Sequence, residues 1–258
     1  RDRSVSRGLG DVYKRQILAG LGTIINSAAI IVGGVFGLLF GKILNERIQD
    51  SLQKASGICV LFIGIAGAME RMLKLSGSSL SAGRSMLIVA SLALGALVGE
   101  ILNIEHGFER FGEWLKVKTG NAKDKSFVEG FVTASLTVCI GAMAVVGSIK
   151  DGISGDYSIL ATKAILDFII IMVMTCSLGK GCIFSAIPVA VFQGLMTALA
   201  RLIKPLMTDG ALANLSLIGS ILIFCVGVNL VWDKRIKVAN LLPSLVFAVA
   251  IAFLPFDL

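Results

Sequence analysis

SILATKAILDFIIIMVMTCSL, the stretch from Ser158 to Leu178, decides the class of this protein. Crossing the hydrocarbon core of a bilayer takes roughly 17–25 residues of helix, and this run has that length. It also carries two charges, Lys163 and Asp167. They stand four residues apart and so share a helix face. A lone charge at the bilayer centre costs about 2.5–3.5 kcal/mol on insertion scales. Asp167 lies about halfway along the run and is expected deep, with Lys163 offsetting part of its cost. Charged residues inside spans are rare and tend to mark ion, proton or substrate pathways. A salt bridge that only fixes helix register is the plainer reading.

Seven similar runs flank this one, at 17–41, 52–69, 85–104, 127–149, 181–203, 212–232 and 238–256. Hydrophobic residues make up 55% of the chain and charged residues 16%. Mean hydropathy is +0.87, whereas soluble domains carry about 25% charge. The one sizeable polar connection is 105–126. The expected fold is therefore all-α: a polytopic transmembrane helix bundle of about eight spans, with seven as the alternative count, forming a single domain over 17–258. Arg1–Gln16 is polar and carries +3 of the net +7 charge. Composition breaks sharply at Ile17, so 1–16 is expected to be a non-native or disordered prefix outside the fold.

The fourth run begins FVEGFVTASLTVCIGAMAVVGSIKDG at Phe127. Read as one helix, it aligns Glu129, Thr133, Thr137, Gly141, Ala144, Ser148 and Asp151 in a polar-to-small stripe. Such a stripe faces protein or water rather than lipid. Asp156 follows in the short connection to the fifth run. Asn26 in the first run and Gln193 in the sixth, with Thr197 and Arg201 on the same face as Gln193, would add hydrogen-bonding groups at depth. The candidate pathway is therefore Lys163, Asp167, Glu129, Thr133, Thr137, Asp151, Asp156, Asn26 and Gln193.

Gly33, Gly37 and Gly41 recur every four residues, as do Gly95 and Gly99. Small residues so spaced let helix backbones approach closely in lipid. Packing within one bundle accounts for them, and a homo-oligomer seam is the sharper alternative. IEHGFERFGEWLKVK, at 104–118, puts Ile104, Phe108, Phe111 and Leu115 on one helical face, with Trp114 as an anchor. It is expected to lie at the membrane interface.

GTIINSAAIIVGGVFGLLFGKIL (22–44) aligns without gaps to GCIFSAIPVAVFQGLMTALARLI (181–203). Spans 1–3 would then repeat as spans 6–8 with opposite orientation, an arrangement found in secondary transporters. With eight spans and the prefix set aside, twelve basic residues fall on the side of 105–126 and six on the other. Basic loops favour the cytoplasm, so 105–126 is expected to be cytoplasmic.

Several chemistries are disfavoured. Cys59, Cys139, Cys176, Cys182 and Cys225 all lie in apolar runs without CxxC spacing, so neither a metal site nor a disulfide framework is expected. The only histidine is His106. No Walker A, HExxH or GxSxG motif occurs, and basic residues do not cluster for nucleic acid. The expectation is no enzyme and no cofactor.

Five segments carry a family resemblance. They are GTIINSAAIIVGG from Gly22, LGALVGEILNIE from Leu94, EGFVTASLTVCIGAMAVVGSIKDG from Glu129, GDYSILATKAILD from Gly155 and KVANLLPSL from Lys237. From about Leu21 to Leu254 the chain resembles an uncharacterised bacterial family of multi-pass membrane proteins, the YdfK/YqgA type. The resemblance implies a bacterial inner-membrane protein and no particular activity. No site residues carry over from it. The Lys163–Asp167 pair, the stripe of the fourth run and the candidate inverted repeat favour a secondary transporter or permeation protein for a small polar or ionic solute. The alternatives are an oligomeric channel and a non-transporting scaffold or sensor, the latter using 104–118 as its partner surface.

Overall fold

Without water to bond, backbone amides and carbonyls in lipid must pair within their own segment, which makes long apolar runs helical. The computed structural model describes residues 20–76, 79–232 and 236–253, and the prefix 1–16 lies outside these. In chain order the elements are α1 (Leu21–Gly41), α2 (Glu46–Met72), an antiparallel hairpin of β1 (Leu73–Ser76) and β2 (Ser79–Ala82), α3 (Ser85–Leu102) and α4 (Ile104–Lys118). Then come α5 (Phe127–Cys139), α6 (Ala142–Ser154), α7 (Ser158–Leu178), a 3-10 turn (Lys180–Ser185) and α8 (Ala186–Ala198). The short α9 (Ala200–Ile203), α10 (Asp209–Trp232), a second 3-10 turn (Val238–Leu241) and α11 (Pro243–Ile251) complete the chain.

Helices make up most of each of the eight apolar runs over the described residues. Six helical segments are long and apolar enough to cross a bilayer alone. α5 and α6 meet that test only as a pair bent by 63°, which would raise the count to seven. Val238–Ile251 of the eighth run, a 3-10 turn followed by a helix that opens at Pro243, is apolar but too short to meet that test. The strand pair Leu73–Ser76 and Ser79–Ala82 is a small addition to the all-α expectation.

Glycines set how the helices pair. Gly33, Gly37 and Gly41 of α1 lie against the backbone of Phe168, Met172 and Cys176 of α7. Both series ascend together, so these helices run parallel. Gly57, Gly64 and Gly67 of α2 meet Leu230, Phe224 and Ser220 of α10, an antiparallel pairing. Gly95 and Gly99 of α3 meet Ser244 and then Asn240, so this pairing too is antiparallel. Any side chain at these points would hold the backbones apart. Both glycine faces singled out in the sequence are thus occupied within the chain.

The main core gathers Phe127 and Phe131 of α5, Ile171 and Met174 of α7, and Leu222 and Val226 of α10. Large apolar side chains such as Ile24, Phe62, Val89, Ile165 and Val191 remain exposed around it, a surface suited to lipid. α4 has the expected amphipathic face but docks onto the bundle. Leu115 is buried, and Phe111 stands edge-on to Phe131 with centroids 5.7 Å apart. Glu105, expected on the polar side, is buried. Its carboxylate accepts from the Ala239 amide at 3.0 Å, while Asn240 Oδ1 accepts from the Glu105 amide at 2.7 Å. The 3-10 turn exposes amides that a continuous helix would have consumed, and Glu105 satisfies one of them.

Candidate functional site

α5 ends where Ile140 turns extended and Gly141 adopts φ 153° and ψ 147°. That conformation is closed to residues bearing a Cβ. The Ala144 amide then bonds the Gly141 carbonyl and α6 begins. The fourth run is therefore two helices, not one, and its stripe is divided. Glu129, Thr133 and Thr137 stay together on α5, while Ser148 and Asp151 belong to α6.

The break falls at the middle of 127–154. Asp167 falls at the middle of α7, and Ser220 at the middle of α10. These midpoints converge on a cavity of about 250 Å³ whose lining includes Thr137, Gly141, Lys163, Asp167, Ser216 and Ser220. Lys163 Nζ donates to Asp167 Oδ1 at 2.7 Å and to Oδ2 at 2.6 Å. Lys163 is 7% exposed and Asp167 2%, so water does little to screen either charge. Among the described residues the ammonium bonds Asp167 alone. Asn26 of α1 reaches toward the Asp167 carboxylate, yet it is buried and neither of its polar atoms completes a hydrogen bond.

Two hydroxyls in this cavity are oriented by their own helices. Thr137 Oγ1 donates to the Thr133 carbonyl at 2.8 Å, and Ser220 Oγ donates to the Ser216 carbonyl at 2.8 Å. Each spends its only proton on the helix and keeps its lone pairs.

One turn earlier on α5, Glu129, Thr133 and Leu136 line a larger cavity of about 630 Å³. Gln53, Glu105, Glu109, Lys125 and Asn229 complete its polar wall. It lies on the side of the 105–126 connection, where Lys180 Nζ also donates to Asn121 Oδ1 at 3.3 Å. Beyond the break, Cys139, Gly141, Val145, Pro188 and Phe192 line an apolar cavity of about 430 Å³.

Three other candidates lie elsewhere. Asp151 is buried, and its Oδ2 accepts from the Gly22 amide at 3.0 Å. It caps α1, which has no side-chain cap of its own. Asp156 is exposed, and its Oδ1 accepts from the Ser158 amide at 3.1 Å at the start of α7. Hydrogen bonds from Ser158 hold its carboxyl below the usual range. Gln193 is buried on α8 with no partner for either polar atom and lines neither polar cavity. The structure thus joins Asn26, Thr137, Lys163 and Asp167, while Glu129 and Thr133 line the larger cavity one turn earlier on α5. Ser216 and Ser220 were missed by the sequence reading, although their four-residue spacing inside an apolar run is visible. Among the described residues, no group of three or more His, Cys, Asp or Glu side chains could hold a metal ion.

A bundle of long apolar helices around a buried ion pair and a broken helix defines a polytopic α-helical membrane protein. The chain belongs to the family described as "Protein of unknown function (DUF554)", which it matches over residues 21–253. It is similar to "Uncharacterized protein YqgA" of Escherichia coli strain K12, 31% identical over 236 residues, covering 90% of this chain and 96% of that one. It is also similar to "Uncharacterized membrane protein YdfK" of Bacillus subtilis strain 168, 28% identical over 232 residues, covering 90% and 95%. No solved structure matches the chain.

Proposed function

We propose that this chain is a multi-pass protein of the bacterial inner membrane that carries a small polar or ionic solute across it. The observation that carries this reading is the pairing, halfway along the helices, of a broken helix with the buried Lys163–Asp167 couple. Breaking a helix in lipid frees backbone groups, which is tolerated where they are buried in protein or line a cavity. Discontinuous helices beside mid-membrane polar sites are a recurring construction of secondary transporters. The larger chamber, facing the side predicted to be cytoplasmic, supports an access route along Glu129 and Thr133.

Helix direction supports counting α5–α6 as one crossing. α1 and α7 run parallel. If α1, α2 and α3 each cross, α7 can share the direction of α1 only if the chain crosses once more between α3 and α7. α5–α6 is the segment there that passes the test for length and apolarity. Seven spans follow, with the 3-10 turn and α11 as a shorter eighth. The proposed inverted repeat of spans 1–3 and 6–8 is supported by packing between proposed counterparts: α1 with the 180–198 segment, α2 with α10 and α3 with α11.

The test is solid-supported membrane electrophysiology on proteoliposomes, screening inorganic ions and small organic solutes. A current found in the wild type should be lost in Asp167→Asn and Lys163→Met. Unchanged currents in both variants would remove the pair from the mechanism.

A further inference from the structure

We propose that the cavity at the α5–α6 break binds a small monovalent cation, with Asp167 as its anionic ligand and Thr137 and Ser220 as hydroxyl ligands. Lys163 is then the resident ammonium that holds the place of the cation until one enters. This builds on the transport reading by naming the class of species carried.

The first ground is charge. The cavity contains one carboxylate and one ammonium, bonded to each other through both carboxylate oxygens. Exchanging that ammonium for another monovalent cation leaves the charge on the carboxylate neutralised. An anion would have to enter beside Asp167 and break the pair with nothing to neutralise the carboxylate, which is costly away from water. A divalent ion is poorly served, since hard divalent cations gather several oxygen ligands, commonly with more than one carboxylate.

The second ground is hydroxyl polarity. Thr137 and Ser220 have each given their proton to a backbone carbonyl of their own helix. Their oxygens can therefore only accept or coordinate within the cavity. That polarity suits a cation and opposes an anion.

The third ground is Asn26. It is buried to completion and reaches toward the Asp167 carboxylate, but neither polar atom meets hydrogen-bond geometry. Buried polar groups are seldom left unbonded without a role. Its carbonyl is an acceptor for the displaced ammonium, which rides on a flexible four-carbon stem, and its amide can donate to the carboxylate that the ammonium leaves.

The experiment uses the full chain purified in detergent and reads the midpoint of thermal unfolding. Sodium, potassium and methylammonium chlorides are compared at equal ionic strength with N-methyl-D-glucamine chloride. Lys163→Ala opens the place held by the ammonium. Sodium, potassium or methylammonium should then raise its midpoint saturably, with an apparent affinity about tenfold or more tighter than in the wild type. Lys163→Ala/Asp167→Asn should not respond. No greater response in Lys163→Ala than in the double variant would overturn the proposal.

A second measurement needs no substitution at Lys163. In the wild type, an entering cation releases the ammonium, so Lys163 should react faster with a small amine-reactive reagent in sodium or potassium chloride than in choline chloride, whose quaternary nitrogen does not consume the reagent, read by peptide mass spectrometry. Thr137→Val and Ser220→Ala should weaken that effect about tenfold in cation concentration. Labelling indifferent to both cations would overturn the proposal. Binding in detergent needs no translocation. A chain that binds a cation but moves none would keep this inference and sink the transport reading, while currents without cation binding would do the reverse.

Discussion

The Lys163–Asp167 pair couples two residues that neither lipid nor protein interior would accept singly. Removing one partner of a buried pair leaves an uncompensated charge and costs about 3–5 kcal/mol, whereas replacing both by neutral groups is often nearly neutral. Asp167→Asn and Lys163→Met are therefore each expected to destabilise the chain by that amount. The double variant should recover most of the loss, as read by equilibrium unfolding in micelles. Costs that simply add would mean that the two side chains do not couple. Asp151 makes a different contribution. It lies 129 residues from Gly22 in sequence yet caps the first turn of α1, where Gly22 lies. Asp151→Ala should cost about 0.5–2 kcal/mol and speed hydrogen exchange at the Gly22 amide. Exchange unaltered there would show that the contact does not protect α1.

Between elements, the apolar runs and the i,i+4 spacing of Lys163 and Asp167 could be read directly, because both are properties of contiguous residues. The break in the fourth run could not. Hydrophobicity continues unchanged through Val138, Cys139, Ile140 and Gly141, and only a backbone angle sets the last of these apart. The roles of Asp151 and Glu105 were equally hidden, since their partners lie 129 and 134 residues away in the chain. The glycine spacing pointed to close packing but could not say against which helix. That packing can be tested at single positions. Gly37 has the Met172 carbonyl and the Thr175 side chain where a Cβ would go, whereas Gly194 has nothing within 4 Å. Gly37→Leu should cost about 1–3 kcal/mol or more through overpacking. Gly194→Ala should be neutral, or stabilising by up to about 1 kcal/mol through helix propensity. Equal effects at both sites would contradict the tight α1–α7 contact.

For the molecule as a whole, the question that decides its topology is whether α5–α6 crosses the membrane or turns back. A re-entrant α5–α6 would return the chain to the side from which it entered. α7 would then start on the opposite side from α1 and run against it. The two helices instead run in register and parallel, and Asp151 at the end of α6 sits at the start of α1. At the other end of the bundle, Lys180 meets Asn121, and Lys237 Nζ donates to Glu100 Oε2 at 3.2 Å. The loops thus sort into two sets, with 120–126 in one and 155–157 in the other. Lys123 and Asp156 are both exposed and stand for these two sets. In a background with the five native cysteines replaced, Lys123→Cys should react with a membrane-impermeant maleimide only after the cytoplasmic face is opened. Asp156→Cys should react in intact spheroplasts. Labelling of both from one face would make α5–α6 re-entrant, halve the bilayer depth available to the cavity at Gly141, and remove the ground for a route that passes Asp167 from one side to the other.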